Sequence, residues 1–458
     1  MLRKAAIVLI LVISTQLLLI PTAAALVPFR DVQARSAILA EKETGTVLFE
    51  YNIYQRHPAD SLTKIMTLLL AAYAVENDEI SDNELIEMTE SAWIDIDEDM
   101  PTLEIEPGEE MTFIDLMYSA FLGNASEAAN MLALRIAGSV DAFVRMMNEQ
   151  AVEIGCLNTR FVNPHGKYDE NQYTTAHDML LLYTEAIKCM LFKEVAGTFR
   201  HVTESTDDFE ARTLTSSNSL LNQSSVYYYR FCTSGINSET YEGGYSVVAS
   251  AEEDGMTLIS VVLGSDIEIF EDESTNIRGF SETHRLFLWG YSQFEWRDII
   301  KTTDLLAKVP VLHGAGGDFV NARPVDSLTL LIDKSIANEA FEKVITIYSN
   351  EDDPLVAPVS AGDVLGEVVI IRDGVEYARM KLIANTNIDL NGVEYIRRQV
   401  SELLATSTAR NVMFVLIALV LLYAALVIRY NIVRANRLRR IKNAKNDIIR
   451  ERHENFRE

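Results

Sequence analysis

One stretch limits what this chain can become more than any other. Val412 to Ile428 is an unbroken apolar run without a charge, close to the shortest helix that spans a bilayer. Arg429 follows at once, and residues 429–458 hold ten cations against four acids, a net charge of +6. A buried core helix does not leave through such an arginine-rich exit. The pattern predicts a transmembrane helix over 412–428 and a basic cytoplasmic tail over 429–458.

The amino end agrees with that reading. Met1 to Lys4 are basic, Ala5 to Ile20 are largely apolar, and Pro21-Thr22-Ala23-Ala24-Ala25 ends in small residues, so 1–25 reads as a signal peptide. The whole chain carries a formal charge of −27; removing the +6 of the tail and the +2 of Arg3 and Lys4 leaves −35 on residues 26–428. This acidic bulk is expected outside the cell, with the protein at the cell membrane as a single-pass species. Such a charge excludes broad binding to nucleic-acid backbones. Three scattered cysteines, Cys156, Cys189 and Cys232, show no metal-ligand spacing, so no metal and no cofactor is expected. Three free thiols are favoured over a Cys156–Cys189 bridge.

Between the ends, the 48% apolar content of 458 residues supports a large core and two or three domains. Ser36 to Glu41 and Thr46 to Tyr51 predict a hairpin across Glu43-Thr44-Gly45. Leu62, Ile65, Met66, Leu69, Leu70 and Tyr73 recur at three and four residues, one buried helical face. Met111 to Ala137 and Thr174 to Ile187 predict further helix, and Tyr245 to Ala251 with Thr257 to Gly264 a second hairpin. Strands at both ends with helices between them argue for an α+β class. Short strands predicted at 309–312, 328–332, 344–348, 366–371 and 375–383 suggest a small β-rich domain over 301–386. A polar linker, 387–411, leads from it to the membrane, and the main domain is expected over 26–300.

Ser61-Leu62-Thr63-Lys64 opens the first long helix and sets a hydroxyl and an amine about one turn apart on one side. A serine needs an adjacent base to attack, and a desolvated lysine is one such base. On these four residues alone, a helix-start serine with a surface lysine is the stronger reading. Asp95, Asp97, Glu98 and Asp99 lack the glycine of a calcium loop and read as a solvated acidic loop. His165 reads as a structural or cleft-wall residue, His177 as a surface residue, and Cys232 as a buried strand cysteine.

The surroundings of Ser61 change the balance. Tyr51-Asn52 and Pro58-Ala59-Asp60-Ser61-Leu62-Thr63-Lys64-Ile65-Met66-Thr67 resemble the nucleophile segment of the low-molecular-mass penicillin-binding proteins, the serine-type D-alanyl-D-alanine carboxypeptidases. That family usually reads Pro-Ala-Ser; here Asp60 intervenes. Asn163-Pro164-His165-Gly166, Tyr173-Thr174-Thr175-Ala176-His177-Asp178-Met179 and Gly244 to Ala251 are similar to three further segments of the family. The resemblance covers roughly 28–300 and continues more weakly through the β-rich domain.

The resemblance implies a penicillin-binding-protein/β-lactamase-like transpeptidase domain of antiparallel sheet and helices, then the small β-rich domain and the anchor. It implies acylation of Ser61 by peptidoglycan stem peptides, β-lactams as covalent inhibitors, and an oxyanion hole from the amides of Ser61 and Ile236. Two family elements are altered. Ser-x-Asn reads Asn124-Ala125-Ser126, with serine and asparagine exchanged, so Ser61, Lys64, Asn124 and Ser126 are the expected catalytic set. Lys-Thr-Gly reads Thr233-Ser234-Gly235, so Thr233, Ser234, Gly235 and Ile236 are the expected substrate-binding set, without the lysine. That lysine would lower the pKa of Lys64 and attract a substrate carboxylate. Arg230 lies at an odd strand offset and points to the other face. The sequence leaves open an active carboxypeptidase, with activity reduced by these changes, or a catalytically silent homologue that binds peptidoglycan or a cell-wall partner. A β-lactamase is disfavoured by the Tyr173 to Met179 segment and by the β domain with its anchor.

Overall fold

A computed structural model describes residues 28–205, 209–270, 274–350, 352–405 and 407–454; the expected signal peptide lies outside them. The chain divides into two compact units. One runs through Arg297 and includes Leu330–Ala337; the other comprises Asp298–Thr329 and Asn338 onward.

The first unit is built on a five-stranded antiparallel sheet. Its strands are β1 (Ser36–Glu41), β2 (Val47–Tyr51), β3 (Cys232–Thr240), β4 (Gly244–Glu253) and β5 (Met256–Ser265), in the order β2-β1-β5-β4-β3. The first and last parts of the unit therefore meet at the β1–β5 pairing, where Ile38 faces Val261. Successive side chains in a strand point to opposite faces. Ile38, Ile236, Val248, Ile259 and Val261 enter one core, whereas Ala37, Leu39, Val247, Leu258 and Val262 enter another.

The first core is shared with helices α1 (Lys64–Glu76), α2 (Phe113–Phe121), α3 (Ser126–Ala137), α4 (Val140–Ile154), α5 (Ala176–Ala186) and α6 (Met190–Gly197). Helix α1 is buried on nearly all sides and packs against α2, α3, α5 and α6, as expected of a helix that is apolar almost all round. The second core is closed by α7 (Arg278–Gln293), whose Phe280, Leu286 and Phe287 are wholly buried. Each such side chain contributes roughly 1.5–3 kcal/mol by leaving water. The helical region expected over 111–137 is two helices. They break at Asn124, which has a left-handed φ of 53°, a conformation asparagine tolerates better than most residues.

In the second unit, β6 (Ala307–Pro310), β7 (Phe319–Pro324), β8 (Glu342–Ile347), β9 (Val364–Arg372) and β10 (Val375–Ala384) form a sheet in the order β6-β7-β10-β9-β8. The stretch expected as a polar linker contains helix α8 (Gly392–Ala405). Helix α9 (Ser407–Glu454) follows, and its segment Asn411–Asn443 is long and apolar enough to cross a membrane, with a window of mean hydropathy 2.8. The apolar run and the basic tail therefore belong to one helix.

Candidate active site

Ser61 lies in a single 3-10 turn, Asp60–Thr63, that feeds directly into α1 and leaves the serine partly exposed at the edge of the helical core. The turn is tight: Asp60 has φ 44°, and a Cβ added to Gly166 would stand 2.2 Å from the Asp60 carbonyl oxygen. Only glycine fits at 166, so the Asn-Pro-His-Gly loop is pressed against the backbone of the nucleophile turn.

Lys64 is the first residue of α1 and is almost completely buried. Its Nζ donates to Asn124 Oδ1 at 2.7 Å and to the His165 carbonyl at 2.6 Å. Burial, opposed by the negative charge of Glu127, brings the amine down to about 7. Desolvation is the cause of this lowering, with no cation contributing to it. Thr67, one turn further along α1, donates to the Pro164 carbonyl at 2.6 Å and ties the same loop down.

The exchanged residues separate in function. Asn124, turned by its left-handed backbone, reaches Lys64. Ser126 begins α3, is wholly buried, and its hydroxyl has no partner among the described residues. Glu127, also buried, accepts from the Leu103 amide at 2.6 Å, and burial raises its pKa. Burial and the nearby Lys64 hold His165 down at about 3, so it is neutral; its Nδ1 accepts from the Lys167 amide. That suits a wall residue.

Strand β3 closes the other side, and here the expected set is only partly brought together. The residues of β3 that face the helical layer are Ser234, Ile236 and Ser238. Ser238, not Ser234, meets the nucleophile turn: the Ser61 amide donates to Ser238 Oγ at 3.2 Å. Ser234 lies four residues back, roughly 13 Å along a strand. It is wholly buried, with its hydroxyl bonded to Tyr183 and Ser250 at 2.7 Å each. Thr233 spends its hydroxyl on Ser250, and a Cβ on Gly235 would stand 2.7 Å from the Asn218 side-chain amide. Ile236 is buried in the helical core, and Arg230 is exposed over the Phe231 ring. The expectation that Thr233 and Ser234 line the cleft beside Ser61 is therefore corrected: their hydroxyls are used inside the sheet.

In the sequence, Asp60 only separates Ala59 from Ser61. Its carboxylate accepts from Thr240 Oγ1 at 2.6 Å, so it joins the nucleophile turn to the end of β3. A Cβ on Gly243 would stand 2.2 Å from Asp60 Oδ2, so the β3–β4 turn is moulded around this side chain. Neither Ser238 nor Thr240 carried a sequence signal, because their roles depend on strand register.

A family model described as D-alanyl-D-alanine carboxypeptidase matches residues 22–267, more than half of the chain. The chain belongs to the D-alanyl-D-alanine carboxypeptidase family. Among members of that family, it is 28% identical to D-alanyl-D-alanine carboxypeptidase DacF of Bacillus subtilis over 372 residues, 81% of this chain and 90% of that protein. It is 29% identical to DacC of Escherichia coli, covering 79% of this chain and 86% of the relative. The fold is shared with penicillin binding protein 5 from Haemophilus influenzae, at a TM-score of 0.57 and 24% identity, over 79% of this chain and 99% of the other. A peptidoglycan synthesis regulatory factor from Streptococcus pneumoniae matches with a TM-score of 0.58 and 23% identity, over 79% of this chain and 100% of the other. Within this carboxypeptidase family frame, the three cysteines are free, and burial pushes the Cys232 thiol up to about 12, as befits an inert strand residue.

Proposed function

We propose that this protein is a serine-type D-Ala-D-Ala carboxypeptidase that acts on peptidoglycan stem peptides through an acyl-enzyme on Ser61. The observation that carries the reading is the state of Lys64. A neutral amine has two protons to donate and one lone pair. Asn124 and the His165 carbonyl take the two protons, which leaves the lone pair for the hydroxyl one turn away. An amine brought to about 7 suits a base that works near neutral pH.

In this mechanism Ser61 Oγ adds to the carbonyl between the last two D-alanines while its proton passes to Lys64. The C–N bond then breaks, and Lys64 returns the proton to the nitrogen of the departing D-alanine. Water, deprotonated by Lys64, hydrolyses the ester and restores Ser61. β-Lactams acylate the same hydroxyl. The family resemblance supports this substrate, and the apolar segment of α9 with its basic exit supports a single-pass anchor with the catalytic unit outside.

A specific contact favours the second reading, a silent homologue that binds peptidoglycan without turning it over. The Ser61 amide, one expected donor to an oxyanion, already points at Ser238 Oγ. Labelling of the full-length protein in membranes with a fluorescent penicillin decides between the two. Carboxypeptidase action predicts a label that maps by mass spectrometry to the peptide containing Ser61 and that disappears in Ser61→Ala. No label, with peptidoglycan still retained by the protein, selects the silent homologue.

A further inference from the structure

The Asn-Pro-His-Gly loop brings a side chain to Ser61 as well as a backbone wall. His165 is only 2% exposed, and its carbonyl accepts from Lys64 Nζ at 2.6 Å. The next residue, Gly166, lies so close to the nucleophile turn that an added Cβ would stand 2.9 Å from the Ser61 nitrogen. After burial itself, the groups that act on the imidazole are Lys64, Asp95, Lys167 and Asp97. Lys64 is buried, whereas the side chains of Asp95 and Asp97 are more than half exposed. The ring therefore stands between the base and the polar rim above it.

Its proton has a defined place. The Lys167 amide donates to Nδ1 at 3.2 Å. An amide N–H can only donate, so Nδ1 carries the lone pair and the ring proton is on Nε2. Nε2–H is then a donor, and it has no acceptor among the described residues. Acceptors of the same loop and rim are engaged elsewhere: Asn163 Oδ1 with the Gly166 amide, Asp95 and Asp97 with Lys167, and Asn124 Oδ1 with Lys64. A buried donor without an acceptor is costly and rarely kept in a folded protein.

We propose that His165 is a substrate-contact residue whose Nε2–H donates to a neutral carbonyl oxygen of the bound peptide. The inference rests on Ser61 acting on a stem peptide as read above, and it deepens that reading by naming the group that this loop recognises. A carboxylate is opposed by Asp95 and Asp97 beside the same ring. An ammonium would meet an N–H with no lone pair to receive it. A peptide carbonyl satisfies the donor and adds no charge. The ring is already fixed by Lys167, and its backbone by Lys64, so binding demands no rearrangement of the loop. The bond forms when the peptide binds and persists through acylation, so it acts on affinity more than on turnover.

The test uses the full-length protein in detergent and a synthetic peptide ending in D-Ala-D-Ala. His165→Phe keeps a ring and removes the donor; KM should rise about 5- to 10-fold, with kcat within about threefold. His165→Gln, whose amide restores an N–H, should return KM to within about twofold of the wild type. The seven histidines also permit nitrogen-15 labelling, with the His165 signal identified by its loss in His165→Gln. In Ser61→Ala, which leaves the peptide intact, the Nε2–H proton should move downfield on binding. N-acetyl-D-alaninamide, which has carbonyls and no carboxylate, should move it too, and acetate should not. This readout needs no His165 variant that folds well enough to assay. Equal losses in the Phe and Gln variants, a fall confined to kcat, or a proton unmoved by bound peptide overturns the His165 assignment and leaves acyl transfer standing. A shift produced by acetate overturns the preference for a neutral carbonyl. A shift on peptide binding with no turnover and no adduct on Ser61 keeps the contact and overturns the acyl-transfer reading.

Discussion

Asn124 Oδ1 accepts from Lys64 Nζ at 2.7 Å, whereas the hydroxyl of Ser126, two residues on, has no partner among the described residues. The exchange of serine and asparagine is therefore a relocation: the longer side chain, launched from a left-handed residue, makes the contact to the base. Asn124→Ala should slow β-lactam acylation about 10- to 100-fold, because a charge-assisted hydrogen bond contributes roughly 1.5–3 kcal/mol. Ser126→Ala should stay within about twofold, since its hydroxyl makes no bond to lose. Equal losses in stopped-flow acylation would contradict this division.

The pH profile follows from Lys64. Its neutral form is the base, and its pKa lies at about 7, so acylation should rise as pH increases through 7 and level off above it. Glu127 pulls the amine back toward the charged form. Glu127→Gln removes that pull, and the midpoint should move to lower pH. A midpoint that stays put, or climbs, counts against Glu127 as the charge that tunes Lys64.

Ser238 bears on the oxyanion. Freeing the Ser61 amide from Ser238 Oγ exchanges an internal bond for one to the substrate, and such bonds carry roughly 0.5–1.5 kcal/mol. Ser238→Gly should accelerate acylation about 2- to 10-fold. If it slows acylation instead, the hydroxyl helps catalysis and does not obstruct it.

The missing cation can be restored at only one of two candidate positions. Thr233 bonds to Ser250 within the sheet, while Ile236 shares the helical face of β3 with Ser238. Thr233→Lys should leave acylation within about twofold, whereas Ile236→Lys should raise it about 10-fold in the molecules that fold. Thermal melts separate the folding cost of a buried lysine from its kinetic effect. A gain confined to Thr233→Lys would refute the face assignment.

Topology has a direct assay. Protease added to intact protoplasts should remove the catalytic unit and spare an epitope placed within 429–458, given the arginines that follow Ile428. Loss of the epitope would invert the proposed orientation.

The linear order of residues determined the elements whose signal is local. Three-and-four spacing marked α1, turn residues at 43–45 marked the β1–β2 hairpin, and a charge-free run with an arginine exit marked the apolar part of α9. It also set Ser61 and Lys64 about one turn apart where the chain enters α1, a spacing that needs no tertiary information. The polar stretch before the membrane hid helix α8, and the helix over 111–137 hid its break.

The site beyond Ser61 and Lys64 was decided by tertiary structure. Which hydroxyl of β3 reaches the nucleophile depends on register: side chains alternate across a strand and advance about 3.3 Å per residue, so a shift of a few residues moves a motif out of a cleft. That is why Thr233-Ser234 read as a substrate site and Ser238 did not. The pKa of Lys64 was equally invisible, because it depends on burial among α1, α3 and the Asn-Pro-His-Gly loop, which no neighbouring residue in the chain encodes.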